Sequence, residues 1–230
     1  MNIVRITLFT LLILVSTSCR PKEKSSQPEM AQKESMENLE SPKLTPSELQ
    51  QYETAYFASG CFWCVEAIFE SVKGVKEVVS GYSGGTEINP TYEQVSYGKT
   101  HHAESVEVYY DPKVVSFSQL VKVFFGSHDP TTLNRQGPDR GAQYRSIAFY
   151  KNEEQKKIIT DYIAKLEADH VYGSPIVTEV KKFDKFYVAE DYHQDYEKLH
   201  PNNSYIQNVS IPRLNRFKKN FKSFLKEDVH

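Results

Sequence analysis

From about Tyr52 onward, short apolar runs of strand length take turns with apolar residues at the 3.6-residue spacing of helices. Ala55 to Ser59 is a strand candidate that ends at Gly60. Val65, Ile68, Phe69 and Val72 then fall at i, i+3, i+4 and i+7, one face of a helix that Lys73-Gly74 closes. Val75 to Tyr82 is a second strand, stopped by Ser83-Gly84-Gly85, and Glu104 to Tyr110 alternates up to the turn signal Asp111-Pro112. Ser116 caps a helix that carries Phe117, Leu120, Val121, Phe124 and Phe125 inward, and Arg145 to Tyr150 is a fourth strand. The order strand-helix-strand-strand-helix-strand predicts an α+β fold: an α/β two-layer sandwich with a split βαβ, ferredoxin-like core and helices on one face of the sheet.

Beyond that core, Asn152 with Gln155 predicts a capping box for a helix that uses Ile158, Ile159, Tyr162, Ile163 and Leu166. An edge strand around Ile176 to Val180, a helix from Ala189 to Leu199 and a basic amphipathic tail with Phe217, Phe221, Phe224 and Leu225 follow. The tail reads as a helix docked on the core with its lysines in water, in preference to one lying on anionic lipid. There is no internal repeat.

The first fifth of the chain has a different character. Arg5, the apolar run Ile6 to Val15 and the small residues Ser16-Thr17-Ser18 before Cys19 form a targeting segment over residues 1–19. The run is too short to cross a hydrocarbon layer of about 30 Å as a permanent helix. Small residues leading into a cysteine resemble a bacterial lipoprotein signal, in which Cys19 is lipidated, although Ser16 stands where leucine is common; ordinary secretion is the alternative. Residues 20–51, rich in Lys, Glu, Ser, Gln and Pro, read as a flexible tether. Residues 52–230 are then a single domain with a C-terminal tail. The chain is expected on the extracytoplasmic side of a bacterial envelope, touching the membrane only through its anchor. A formal net charge of −2 gives no reason to expect nucleic acid.

Of three cysteines, only Cys61 and Cys64 form a pair, in the stretch Gly-Cys-Phe-Trp-Cys at the start of the first helix. A sulfur at a helix start meets the positive end of the helix dipole, which favours the thiolate over a free thiol with a pKa of about 8.5. Cys64, one turn on, is close enough to pair with it. So short a loop is a poor structural staple. Structural zinc wants four ligands, no second Cys-x-x-Cys exists, and His101-His102 on an extended stretch point apart, so no metal is expected. Phe62 and Trp63, the one tryptophan in the chain, are ordinary core residues by type. Beside a reactive sulfur they also suit the wall of a small apolar pocket for a methyl-bearing substrate.

The stretches GCFWCVEAIF, GYSGG, NPTYEQVSYGKTHHAESVEVYYDP, HDPTTLNRQGPDRGAQYRS and AEDYHQDY, in that order, closely resemble the peptide methionine sulfoxide reductases of the A type from about Tyr56 to Tyr196, and PRLNRFKKNF is similar to the family's ending. The resemblance implies reduction of the S epimer of methionine sulfoxide, in proteins or free, as a repair of oxidative damage. It implies Cys61 as nucleophile, Phe62 and Trp63 around the substrate methyl group, and Glu104 as proton source for the sulfoxide oxygen. Tyr82 and Tyr144 would donate hydrogen bonds to that oxygen, and Asp129 would fix the site through water. A carboxylic acid held neutral in an apolar pocket is the acid such chemistry needs. Cys61 would end as a sulfenic acid, which a neighbouring thiol converts to a disulfide. Cys64 is placed for that role; many members carry resolving cysteines near the C-terminus and none stands there in this sequence, so recycling is expected through Cys64 or directly through an external thiol. His101 stands where a glycine is common. No bound cofactor is expected, only an external thioredoxin-like dithiol, and the chain is expected to act as a monomer. Two other readings stand beside this one: a general thiol-disulfide oxidoreductase, which would not need Glu104, and a lipoprotein that binds a partner through its aromatic surface, in which loss of Cys61 would be silent.

Overall fold

The computed structural model describes residues 44–227, so the predicted signal segment over 1–19 with Cys19, and the tether up to residue 43, lie outside the described residues. The tether reading extends too far. Thr45 opens a one-turn helix, Pro46–Leu49, in which the Thr45 hydroxyl accepts from the Glu48 N–H and the Glu48 carboxylate accepts from the Thr45 N–H. Thr-Pro-Ser-Glu is a capping box with proline in the first turn, a local signal that composition alone passes over.

Six strands form one sheet: β1 (Glu53–Ser59), β2 (Val75–Ser83), β3 (Ala103–Tyr110), β4 (Ser146–Tyr150), β5 (Glu179–Lys182) and β6 (Phe186–Val188). Their order is β5-β4-β1-β3-β2-β6. Helix α1 (Phe62–Glu70) joins β1 to β2 across β3, and α2 (Phe117–Gly126) joins β3 to β4 across β1, which is the predicted split βαβ arrangement. Antiparallel pairs run through the middle, and the crossover α3 (Glu153–Ala168) adds β5 parallel to β4.

Period-two alternation sorts β1 between two cores. Ala55 and Phe57 face the helices, where Phe57 stacks on Phe69 and Phe124 with ring centroids 5.1 and 5.0 Å away. Tyr56 and Ala58 face the other way, into a smaller cluster with Ala103, Ile147 and Phe149. Among the described residues no helix covers that cluster. Phe183 and Phe186 do so, with the Phe183 ring stacked 3.7 Å from that of Tyr56.

Departures from the predicted elements have local causes. Asn152 caps α3, but the Gln155 side chain accepts from the Lys151 N–H at 2.8 Å and not from Asn152, so the box is not closed as predicted. The edge strand starts only at Glu179, because the Val177 N–H is turned toward the Pro130 carbonyl, 2.8 Å away. The predicted helix from Ala189 to Leu199 is broken into a 3₁₀ turn, Asp191–His193, and a single turn, Tyr196–Leu199, with Asp195 left-handed at φ 54° between them. Its backbone is fastened elsewhere: the Asp195 N–H donates to Glu66, and the Gln194 side chain pairs with both the N–H and the carbonyl of Ser80.

The tail docks as predicted. Phe217 on α4 (Ile211–Asn220) is buried, and Phe221 lies so close to Gly126 that a Cβ there would meet its ring at 1.9 Å. Leu225 bridges Val72, and the Lys226 N–H donates to the Ser71 carbonyl at 3.0 Å, closing the tail over the end of α1. Among the described residues no helix is long and apolar enough to cross a membrane.

Candidate active site

Gly60 makes the sharp exit from β1 into α1. Its φ is +86°, and a Cβ would stand 2.6 Å from that of Gln136, so both backbone and space call for glycine. Cys61 follows as the N-cap of α1, with no side-chain capping bond. The first amide donors of a helix have no partner within it. Here the Phe62 N–H donates to Glu104 Oε2 at 3.0 Å, bringing the first residues of β3 to the start of α1. Glu104 is 2% exposed. Burial pushes its carboxyl up to about 8, the Phe62 N–H opposing and the negative charges of Asp139 and Cys64 adding.

The two thiols, both free, behave differently. A helix start alone favours a thiolate at Cys61. In the fold, burial dominates instead and lifts the Cys61 thiol well above its ordinary value, reinforced by its bond to Cys64 and by the charges of Cys64 and Glu104. Cys64 is drawn down to about 6, first by the hydrogen bond it accepts from Cys61, against its own burial, and then by the charge of Arg213 and the neighbouring hydroxyls of Ser210 and Tyr205. Cys64 is therefore the sulfur that ionises first.

Cys61 and Glu104 line a cavity of about 390 Å³ with Phe62 and Trp63. The Trp63 indole N–H donates to His193 Nδ1 at 3.2 Å, and its ring stacks on Tyr196 at 3.8 Å. Burial holds that histidine neutral, its pKa lowered to about 4, so its Nδ1 is free to accept. Tyr144, from the 3₁₀ turn Ala142–Tyr144, completes this part of the wall.

Two of the predicted residues are not in the wall, and the structure supplies others. Tyr82 lies behind Phe62, fully buried, with its hydroxyl donating to Glu190 at 2.8 Å. The ring that faces the cavity is Tyr92, whose N–H takes the other oxygen of Glu190 at 2.9 Å. The Thr91/Gln94 capping box places Tyr92 at the first position of the short helix Tyr92–Ser96, a signal present within NPTYEQ. Neither the Tyr92 nor the Tyr144 hydroxyl has a hydrogen-bond partner among the described residues. Asp129 is likewise outside the cavity. It is exposed, and its Oδ1 accepts from both the N–H and the hydroxyl of Thr131, at 2.9 and 2.6 Å, in a local turn. The aspartate in the wall is Asp139, carried there by a hairpin that pairs Arg135–Gln136 with Asp139–Arg140. It accepts from the Tyr205 hydroxyl at 2.6 Å, and burial raises its carboxyl against that bond and the charge of Arg213. Tyr205 also lines the cavity, held by Asn203 Oδ1, which accepts from its N–H at 2.8 Å.

Known proteins share this arrangement of chain. A family model described as peptide methionine sulfoxide reductase matches residues 53–225. Peptide methionine sulfoxide reductase MsrA of Polynucleobacter asymbioticus is 46% identical over 183 residues, covering 80% of this chain and 96% of the relative. MsrA 1 of Rhodopirellula baltica is 52% identical over 169 residues, 74% of this chain and 87% of that one. Among solved structures, methionine sulfoxide reductase A of Corynebacterium diphtheriae superposes with a TM-score of 0.61 at 35% identity, over 72% of this chain and 81% of the other. Mxr1 from Saccharomyces cerevisiae in reduced form gives 0.62 at 32%, over 70% and 91%.

Proposed function

This chain belongs to the peptide methionine sulfoxide reductase family and is an oxidoreductase that reduces methionine sulfoxide with electrons from thiols; within that activity we propose that Cys61 is the nucleophile, Glu104 the acid and Cys64 the resolving thiol, acting on the S epimer. The observation that carries the assignment is the Phe62 N–H to Glu104 bond of 3.0 Å, which sets a buried carboxyl beside Cys61. With its pKa raised to about 8, Glu104 still holds a proton at neutral pH. In the reaction the Cys61 sulfur bonds to the sulfoxide sulfur while Glu104 protonates the oxygen, which is a poor leaving group without that proton. The Cys61 thiol proton restores Glu104. The protonated oxygen then passes from the substrate sulfur to the Cys61 sulfur as the bond between the two sulfurs breaks, so methionine leaves as the thioether and Cys61 is left as a sulfenic acid.

Phe62 and Trp63 take the substrate methyl group between them. Tyr92 and Tyr144, whose hydroxyls are uncommitted, donate to the sulfoxide oxygen, and Asp139 with Tyr205 forms the polar side of the cavity. Condensation of Cys64 with the sulfenic acid gives a Cys61–Cys64 disulfide, and a thioredoxin-like dithiol returns both sulfurs to thiols. The general thiol-exchange reading is not favoured by family membership or by the placement of Glu104. The chain acts as a monomer, anchored through lipid on Cys19 and held off an extracytoplasmic membrane face by residues 20–43, where it repairs oxidised proteins and the free amino acid. The apolar run Ile6 to Val15 and the small residues before Cys19 support the anchor. Cys19→Ser should then move the chain from the detergent phase to the aqueous phase, and an unchanged partition would remove the anchor from this account.

The direct test is dithiothreitol-dependent reduction of a methionine sulfoxide peptide resolved into its two epimers. The S epimer should be consumed by the natural chain and by neither Cys61→Ser nor buffer. Equal consumption of both epimers would overturn the specificity, and turnover by Cys61→Ser would overturn the nucleophile.

A further inference from the structure

Cys64 lines not the substrate cavity but a second one, of about 370 Å³, whose wall also includes Asp139, Tyr205, Arg213 and Arg216. Arg213 comes from the first turn of α4, with residue exposure of only 6%, and Cys64 is exposed by 1%. A buried guanidinium ordinarily finds a carboxylate. Among the described residues none lies within 4 Å of this one, and it donates to neutral groups, from Nε to the Ser127 carbonyl at 2.9 Å and from Nη2 to the Ser59 hydroxyl at 3.3 Å. Those bonds pin the charge beside the strand that delivers Cys61. What they do not supply is an anion.

We propose that Arg213 is a positioning residue for the resolving step, its pinned guanidinium keeping the Cys64 sulfur in the anionic form that attacks oxidised Cys61. The inference rests on the reading of Cys64 as the resolving thiol. Every charged or titratable group around Cys64 enters the balance. Cys61 donates to it, the Tyr205 hydroxyl lies 3.8 Å from it with its proton given to Asp139, Arg213 and Arg216 bring positive charge from α4, and Glu104 and Asp139 bring carboxyls that oppose ionisation. The field of Arg213 is also felt at His128, which burial and then Arg213 hold neutral, its pKa lowered to about 3. In the step itself the Cys64 thiolate attacks the Cys61 sulfenic sulfur. One S–S bond forms, one S–O bond breaks, and the oxygen takes a proton from Glu104 and leaves as water.

The test follows disulfide formed per methionine released in a single turnover without reductant, across pH, in the full chain carrying Cys19→Ser so that only the cavity thiols report. Arg213→Met should raise the pH midpoint of disulfide formation by about one unit. Because a more basic thiolate is rarer but intrinsically more nucleophilic, the variant should be about threefold slower than the parent at acid pH and about threefold faster at alkaline pH. Arg213→Lys should restore the parent profile. A merely structural loss would slow the step at every pH, and that result, or an unmoved profile, overturns the inference. Should Arg213→Met release no methionine, ultraviolet titration of Cys64 in Cys61→Ala, which removes the Cys61 donor and keeps Arg213, decides: a midpoint below that of free cysteine, about 8.5, supports the inference, and one at or above it overturns it. A parent chain that forms no Cys61–Cys64 disulfide would instead sink the resolving role itself.

Discussion

Glu104 and Glu66 are two carboxyls at equal depth, each 2% exposed and each pushed up to about 8 by burial, yet they stand in opposite circumstances. Glu66 lies in the seam between α1 and β2, where Ser80 donates to one oxygen and the Asp195 N–H to the other, both at 2.9 Å. The Lys198 ammonium reaches the neighbouring Glu70 and Asp195 at 2.8 Å each. Glu104 takes one N–H on Oε2, while among the described residues no protein group bonds its Oε1 and its side chain lines the cavity. The same burial makes one acid a clasp and the other a reagent. What separates them is an uncommitted atom facing a space where a substrate fits. The tyrosines repeat the contrast: Tyr82 has given its hydroxyl to Glu190, whereas Tyr92 and Tyr144 have not given theirs to any described residue.

The largest expected break in this comparison is Glu104→Gln, which should lower turnover about 10²- to 10⁴-fold while Glu66→Gln keeps it within about twofold. Steady-state reduction of a methionine sulfoxide peptide checks both. In the natural chain activity should fall as pH rises through about 8, where Glu104 loses its proton. Tyr92→Phe and Tyr144→Phe should each cost about tenfold in turnover, against less than threefold for Tyr82→Phe, the expected range for a hydrogen bond to the reacting oxygen.

Stability against pH sharpens the comparison from the other side. A carboxyl whose folded pKa lies at about 8, above an ordinary 4.5, keeps its proton in the folded chain after the unfolded chain has released it. Stability is therefore full below about 4.5 and declines up to about 8, by at most about 1.4 kcal/mol per pH unit for each such acid. Glu66→Gln, whose amide can keep both of its bonds, should roughly halve that slope in denaturant titrations. The smallest effect is that of Tyr82→Phe, about 1 kcal/mol of stability for the lost bond to Glu190.

The core strands and the helices between them were legible because each is long enough for its period to show and is punctuated by Gly60, Lys73-Gly74, Asp111-Pro112 or Ser116. Strand β6 was not, being three half-buried or exposed residues with too little pattern to read. Cys61, Phe62, Trp63, Glu104 and Tyr144, which the family resemblance singled out, line one cavity. Asp129 and Tyr82 do not, and the reason is a loop geometry that spacing leaves open. The segment from His128 to Tyr144 holds two aspartates, and only the Arg135–Arg140 hairpin decides that the second one reaches the wall. Arg213 was out of reach for the same reason: nothing local to PRLNRF says that its first arginine is buried beside a cysteine 149 positions earlier.

Trp63 gives the molecule an optical reporter. It is the only tryptophan in the chain, and its ring, stacked on Tyr196 and bonded to His193, forms part of the cavity wall. Indole emission excited at the red edge of its band therefore originates at this one place, beside the sulfur that changes oxidation state. Entry of a sulfoxide, departure of the thioether and closure of a disulfide each alter the polarity and quenching around the same fluorophore. A stopped-flow trace of the natural chain should resolve these events in order, without a label and without a substitution.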